Sequence, residues 1–415
     1  MLKIVHPICC GIDVHKTFVV ATIAFTDIKS VTTYKTQRFS TFTKDLIRLQ
    51  SWLTENQCVP VCMESTGKYW LPVYNALEGS SRIVLAHPKY VKAIRGKKTD
   101  KKDSIWIADL FKHDLVTGSF IPPPAIRELR DLLRYKAKLT ETINREKNRI
   151  QNILTVSNIM LSSVVSDTFG KSGSAILSHL LEHPSVKTEE LLPLLHGSVR
   201  KKKDEITLAL DGKISTPQRT KMGLCLDHLY YLQTSLSKIH AVAESLALPY
   251  QSALSLIETV PGIRRPSALV ILSEIGADMS VFPSDKHLCS WAGLAPTNDQ
   301  SAGKKKSVHI SRAGNYLKPL LVQCALAAIK CKEASVFKDR YERLSRRRGH
   351  KRALIAIARM MLTALWHMLS SGEVFNSSQW QHRTKRAIPP PPAESIAIEM
   401  LRSLGYTVER FSESA

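Results

Sequence analysis

The sequence predicts an α/β N-terminal unit, a coiled-coil linker and a mostly α-helical C-terminal unit. Three observations carry that reading. Short runs rich in Val, Ile and Thr alternate with helical patterns from residue 1 to about 120. Beyond the rigid Ile121-Pro122-Pro123-Pro124, apolar residues recur in alternating steps of three and four. From Gln251 onward the pattern is helical and is punctuated by glycine turns. The expected organisation is 1–120, 121–250, 251–375 and a partly disordered tail, 376–415.

In the first unit, strands are expected at Ile8 to Ile12, Thr17 to Phe25, Val31 to Phe39, Val59 to Met63 and Arg82 to Leu85. Helices are expected at Thr43 to Thr54, Trp70 to Leu77 and Ile105 to Phe111. Two strands able to pair as a hairpin, followed by alternating helix and strand, predict a mixed sheet with helices packed on it. The linker's first seam holds Leu129, Leu132, Lys136, Leu139, Ile143, Glu146, Ile150 and Ile153. A second seam holds Cys225, Leu229, Leu232, Leu236, Ile239, Ala243 and Leu246. The two seams suit either an antiparallel arm or a dimerising one, with Arg200-Lys201-Lys202-Lys203 in an exposed loop near the arm's tip.

In the last unit, Ile257 to Ile263 followed by Ala268 to Ile275 reads as helix, tight glycine turn, helix. Such a turn can present backbone N–H groups to a phosphate, although a plain αα-corner has the same signature. Trp291-Ala292-Gly293-Leu294-Ala295-Pro296 and a polar segment, Thr297 to Lys306, lead to a helix containing Leu317, Leu320 and Leu321. A basic patch (Arg343, Arg346, Arg347, Arg348, Lys351, Arg352) then runs into the apolar helix Ala353 to Leu369.

Over 415 residues, 59 Lys+Arg stand against 36 Asp+Glu, a formal charge of +23. That surplus points to a polyanionic partner, most simply nucleic acid. No run of ~18 apolar residues is read in the chain, and the N-terminal residues are expected to run into the first strand rather than to form a signal peptide. No membrane association is expected, and the cytoplasm is the expected compartment. Eight cysteines without paired Cys-x-x-Cys spacing predict buried, reduced thiols.

The candidate chemistry lies in four acids. Asp13 sits in Cys10-Gly11-Ile12-Asp13-Val14-His15-Lys16, and Glu64 opens Glu64-Ser65-Thr66-Gly67 after a short apolar run. Asp100 and Asp103 lie within Lys97-Lys98-Thr99-Asp100-Lys101-Lys102-Asp103, where a helical pattern begins. A spacing of three places both on one helix face. Acids at two strand ends and one helix start can assemble an oxygen site for Mg2+, which prefers a few carboxylates plus phosphate oxygens. The plain alternative is that Thr99 or Asp100 caps the helix, with Asp103 in its favourable first turn. Ser301, beside three lysines, has no local base and reads from chemistry alone as a turn residue.

These blocks resemble the DEDD insertion-sequence transposases of the IS110 family and its IS1111 branch. The likeness rests on Gly11-Ile12-Asp13-Val14-His15-Lys16, Met63-Glu64-Ser65-Thr66-Gly67-Lys68-Tyr69-Trp70 and Lys98-Thr99-Asp100-Lys101-Lys102-Asp103. Val260-Pro261-Gly262-Ile263, Trp291 to Pro296, Gln300-Ser301-Ala302-Gly303 and Ile310 to Asn315 resemble that family's C-terminal domain. The resemblance implies a RuvC-like (RNase H-type) N-terminal domain, with Asp13, Glu64, Asp100 and Asp103 binding Mg2+, two ions in all. It implies that Ser301 is the nucleophile, forming a covalent protein–DNA intermediate. It further implies donor and target double-stranded DNA, a structured non-coding bridge RNA as guide, and a tetramer built as a dimer of dimers. The expected setting is the bacterial cytoplasm, at the nucleoid when DNA is bound. In one respect the sequence departs from the family: Ala302 follows the serine where a second serine or a glycine is expected, leaving Ser307 and Ser311 as alternatives.

The leading expectation is therefore a bridge-RNA-guided DNA transposase. A site-specific DNA invertase of the same family, a RuvC-like metal-dependent endonuclease and a non-catalytic nucleic-acid-binding protein are the competing readings.

Overall fold

A computed structural model describes residues 2–64, 67–87, 99–183, 190, 192–296, 299–301, 304–307, 309–331, 335–378 and 393–408. The chain forms two compact units, Met1–Pro122 and Pro123–Ala415.

The first unit is built on five strands: β1 (Ile8–Val14), β2 (Phe18–Thr26), β3 (Thr32–Ser40), β4 (Pro60–Glu64) and β5 (Arg82–Ala86). Their order is β3-β2-β1-β4-β5, the RNase H-like order. β1 to β3 form an antiparallel meander, while β4 runs parallel to β1 and β5 parallel to β4. Side chains alternate across the sheet. Cys10, Ile12, Val14, Val61 and Met63 pack under α1 (Thr43–Glu55) and α2 (Trp70–Leu77), through Leu49, Leu53, Val73 and Leu77. Cys9, Ala24, Cys62 and Ala86 face the other way, against Ile107, Ala108 and Phe111 of α3 (Asp100–Lys112).

Helix α3 begins five residues earlier than its apolar periodicity suggests. Its first turn, Asp100 to Asp103, is wholly polar, so only the cap marks it: the Thr99 hydroxyl accepts the Lys102 N–H at 3.3 Å. The capping role considered for Thr99 is real, and it coexists with the acids. Gly11 is what lets the helix sit so low. A β-carbon there would lie 2.4 Å from both the Ala108 nitrogen and the Ser104 carbonyl oxygen. Beside it on β2, the buried Thr22 hydroxyl meets the Ser104 hydroxyl at 2.7 Å.

The second unit opens with α4 (Pro124–Val156). The short helices α5 (Leu161–Val164), α6 (Lys171–Glu182) and α7 (Lys203–Ala209) follow, and then α8 (Thr216–Ala247). Helices α4 and α8 are antiparallel: Glu146 meets His228 at 2.9 Å, while Ile153 lies beside Cys225 and Lys221. Leu161, Ile176, Leu177, Leu180 and Ile206 close the far end over the same core. Arg200 to Lys203 are exposed there, on a 3-10 turn and the start of α7 rather than in a loop. One seam position shifts. Leu133 is buried and Leu132 only half-buried, because the N-terminal part of α4 packs on α10 (described below) as well as on α8. Glu146, the acid in the seam, is 1% exposed and is held by His228 and Arg149.

The rest comprises α9 (Gln251–Glu258), α10 (Arg265–Ile275), α11 (Asp285–Trp291), a hairpin of β6 (Asp299–Ser301) and β7 (Lys304–Ser307), α12 (Leu317–Ala328), α13 (Ser335–Arg348), α14 (His350–Ser371) and α15 (Ala393–Ser403). Gly262 turns the chain between α9 and α10 at φ +89°, and a β-carbon on it would fall 2.5 Å from the Cys324 carbonyl of α12. That glycine is required by packing within the unit. Contrary to the sequence expectation, α14 is long and apolar enough to cross a bilayer. Here Leu354, Ile357, Met361, Leu362 and Leu365 are buried, and the helix packs on α9, α11, α12 and α13. Of the cysteines, Cys225 is half-buried and Cys331 exposed, against six that are buried.

Where α4 meets α10 the contact is ionic. Arg134 donates two hydrogen bonds to the Glu274 carboxylate, at 2.7 and 2.8 Å, and its guanidinium lies 4.8 Å over the Tyr316 ring. Arg130 donates to the Ser273 and Glu274 carbonyls at 2.8 and 2.7 Å. Burial pulls Arg130 down to about 10, with Glu274 opposing. Since Glu274 is 3% exposed, removing its charge leaves the largely buried Arg130 and the partly exposed Arg134 without their counter-ion. Glu274→Gln is expected to lower the unfolding free energy by about 3 kcal/mol, read by urea titration of tryptophan fluorescence. A loss under about 0.5 kcal/mol, the scale of an exposed pair, would show that the clamp is weak.

Candidate metal centre

Asp13 is the penultimate residue of β1, on the α3 side of the sheet, and it is 7% exposed. The parallel register pairs Ile12 with Met63, so the next step sets Glu64 beside Asp13 and on the same face. α3 supplies Asp100 and Asp103 from its first turn, where acids also complement the helix dipole. The four acids named from the sequence thus belong to one end of one sheet face and the helix covering it.

The imidazole of His15 lies among them. Its Nε2 is 3.1 Å from Asp13 Oδ2 and 3.4 Å from Asp100 Oδ1, and one donor atom from each of the three residues falls within 4.8 Å of the others. Burial raises the Asp13 pKa; His15 opposes that, while Asp103 and Asp100 reinforce it. A nearly buried carboxylate facing two more is a cation-seeking arrangement, and its oxygen-rich donor set fits a hard divalent ion. The residues sequence reasoning missed are His15 and Gly11. His15 was visible only as part of a motif, because no periodicity marks a histidine in a β-turn.

Ser301 belongs to the second unit, where it ends β6 and pairs with Lys304. The polar segment of the sequence thus contains a short hairpin. The side chains of Ser301 and Ser307 lie outside the described residues, as do Ala302, Gly303, Ser65, Thr66, Lys97 and Lys98. Ser311, the other alternative, accepts the Ala313 N–H at 3.3 Å within its own turn. Lys101 and Lys102 are exposed beside the acids, and Arg343, Arg346, Arg347, Arg348, Lys351 and Arg352 are exposed across α13 and α14.

An RNase H-type sheet bearing these acids defines a nuclease-type catalytic unit, in a chain with a helical partner unit and broad basic surfaces. Two family models match, in the expected order. A DEDD-type IS110 model described as "Transposase" matches residues 10–159, and a model described as "Transposase IS116/IS110/IS902 family" matches residues 254–342. The chain belongs to the IS110 family of transposases, which are DNA strand-transfer enzymes. It is 27% identical over 300 residues to the "Insertion element IS110 uncharacterized 43.6 kDa protein" of Streptomyces coelicolor, covering 68% of this chain and 72% of that one. It is 28% identical over 122 residues to the "Transposase for insertion sequence element IS1111A" of Coxiella burnetii, 29% and 33% of the two chains. It is also 32% identical over 126 residues to a "Pilin gene-inverting protein" of Moraxella bovis, 29% and 38% of the two chains. The DEDD domain implies a divalent metal.

Proposed function

We propose that the chain is a bridge-RNA-guided serine recombinase of insertion-sequence DNA. Asp13, Glu64, Asp100 and Asp103 hold Mg2+ in two sites, and Ser301 is the nucleophile. The observation that carries this reading is the shared sheet face of Asp13, Glu64 and the first turn of α3, in a chain that matches both transposase models. When bound, the metal neutralises charge on the phosphodiester. A serine hydroxyl without a local base depends on such activation. Ser301 Oγ attacks phosphorus; a phosphoserine bond forms, one P–O bond to sugar breaks, and the freed sugar hydroxyl takes up the proton. Attack by a second strand's hydroxyl reverses the step and joins the new strand. The exposed basic residues of α13 and α14 and of the arm's tip hold RNA and DNA backbones, base pairing selects sequence, and subunits assemble as a dimer of dimers. The reaction takes place in the cytoplasm, at the nucleoid.

The experiment is strand exchange between circular donor and target DNA, with and without co-purified RNA, in Mg2+ or EDTA. A denaturant-stable protein–DNA adduct is expected in Mg2+ and is absent from Ser301→Ala. If the adduct persists in that variant, Ser301 is not the nucleophile; cleavage with no adduct at all points to a water-using endonuclease. The likeness to the Moraxella protein favours one second reading, inversion of a DNA segment. Inversion between sites on one plasmid, without integration of a circular donor, would establish it.

A further inference from the structure

We propose that His15 supplies a nitrogen ligand to the cation held by Asp13 and Asp100, making a mixed oxygen–nitrogen site that favours Mn2+ over Mg2+. This rests on the metal reading above and adds to it a residue outside the four acids.

The geometry points to coordination. Ligands at ~2.1 Å in an octahedron stand ~3 Å apart along each edge. The Nε2 separations of 3.1 and 3.4 Å from the two carboxylate oxygens are of that size. The ring is also set in place beforehand. The His15 backbone N–H donates to the Phe18 carbonyl at 2.9 Å, and the imidazole packs on the Phe18 ring at 4.6 Å between centroids. Phe18 is itself held by the Arg38 guanidinium, 3.7 Å from its ring centre. The histidine side chain is 37% exposed, so the ion it shares remains open to a phosphate.

Nitrogen changes which ion is held. Mg2+ is served by oxygen and water, whereas an imidazole ligand adds affinity for later divalent ions, with Mn2+ the first of that series. The rival explanation is that the ring only fills the space between two carboxylates and leaves when an ion enters. In that case its removal would leave metal binding unchanged or tighter.

Mn2+ bound to the full chain, read by electron spin echo, separates the two. Nitrogen-14 modulation is expected in the wild type, and it should change when histidine is labelled with nitrogen-15, a result that needs no variant to fold. His15→Gln is expected to lose the modulation and to weaken Mn2+ binding by about tenfold or more, with a smaller change for Mg2+. Mn2+ bound without nitrogen modulation, modulation surviving in His15→Gln, or unchanged or tighter Mn2+ binding there would each overturn the assignment. Those outcomes leave the acid site standing. Failure of the wild type to bind Mn2+, with Asp13→Asn indistinguishable from it, would remove both.

Discussion

Asp13→Asn is expected to reduce strand cleavage by about a thousandfold or more and, in metal-free buffer, to give a more heat-stable protein than the wild type. Both effects come from one buried carboxylate. Its folded pKa is raised above the ordinary 3.8 by burial and by Asp103 and Asp100, against the pull of His15. The folded state therefore keeps this proton more tightly than the unfolded state does. Asp13's contribution to stability is fully present below the unfolded pKa and is lost as pH rises through the folded one. At neutral pH the wild type thus carries a destabilising charge that asparagine lacks. The Tm advantage of Asp13→Asn in EDTA should vanish below about pH 4, using the unperturbed carboxyl as reference, and grow as pH rises above it. Adding Mg2+ or Mn2+ should raise the Tm of the wild type and leave the variant unmoved. A variant less stable than the wild type in EDTA at neutral pH would show that Asp13 is not held under this electrostatic load.

Gly11→Ala should also damage activity, by about a hundredfold, without touching an acid. The added methyl would sit 2.4 Å from two backbone atoms of α3, and neither can swing away as a side chain can. The helix has to lift, breaking the Thr22–Ser104 contact and carrying Asp100 and Asp103 from their places opposite Asp13. Overpacking of this kind costs about 1–3 kcal/mol, and displacing a catalytic group by ~1 Å costs about a hundredfold in rate. Thermal unfolding, Mn2+ affinity and strand cleavage should all fall together. Gly79→Ala, with nothing within 4 Å of its β-carbon, is the control. Parity of the two variants would mean that α3 does not sit where the sheet places it.

Much of the first unit was legible because its central strands are buried on both faces and so read as continuous apolar runs. The expected Trp70–Leu77 helix coincides with α2, and each strand boundary falls within two residues. Legibility ended where apolar periodicity did. The first turn of α3 is polar, and the β6–β7 hairpin is mostly lysine and small residues, so neither carries a hydrophobic signal. The exchange of Leu132 for Leu133 has another cause: a 3.6-residue helix drifts against a seven-residue repeat, and α10 takes up the drift. The acids could be picked out one by one at strand and helix ends. Their proximity to His15 could not, because it depends on how a turn folds the ring back over β1.

The Glu274 clamp gives the arm mechanical leverage. From Arg134 to the end of α4 the helix runs about 33 Å, at ~1.5 Å per residue. A hinge of about ten degrees at the clamp would sweep the lysine-rich far end through roughly 6 Å, close to the full pitch of an α-helix. Two arginine side chains at the pivot therefore govern where that distant cationic surface stands.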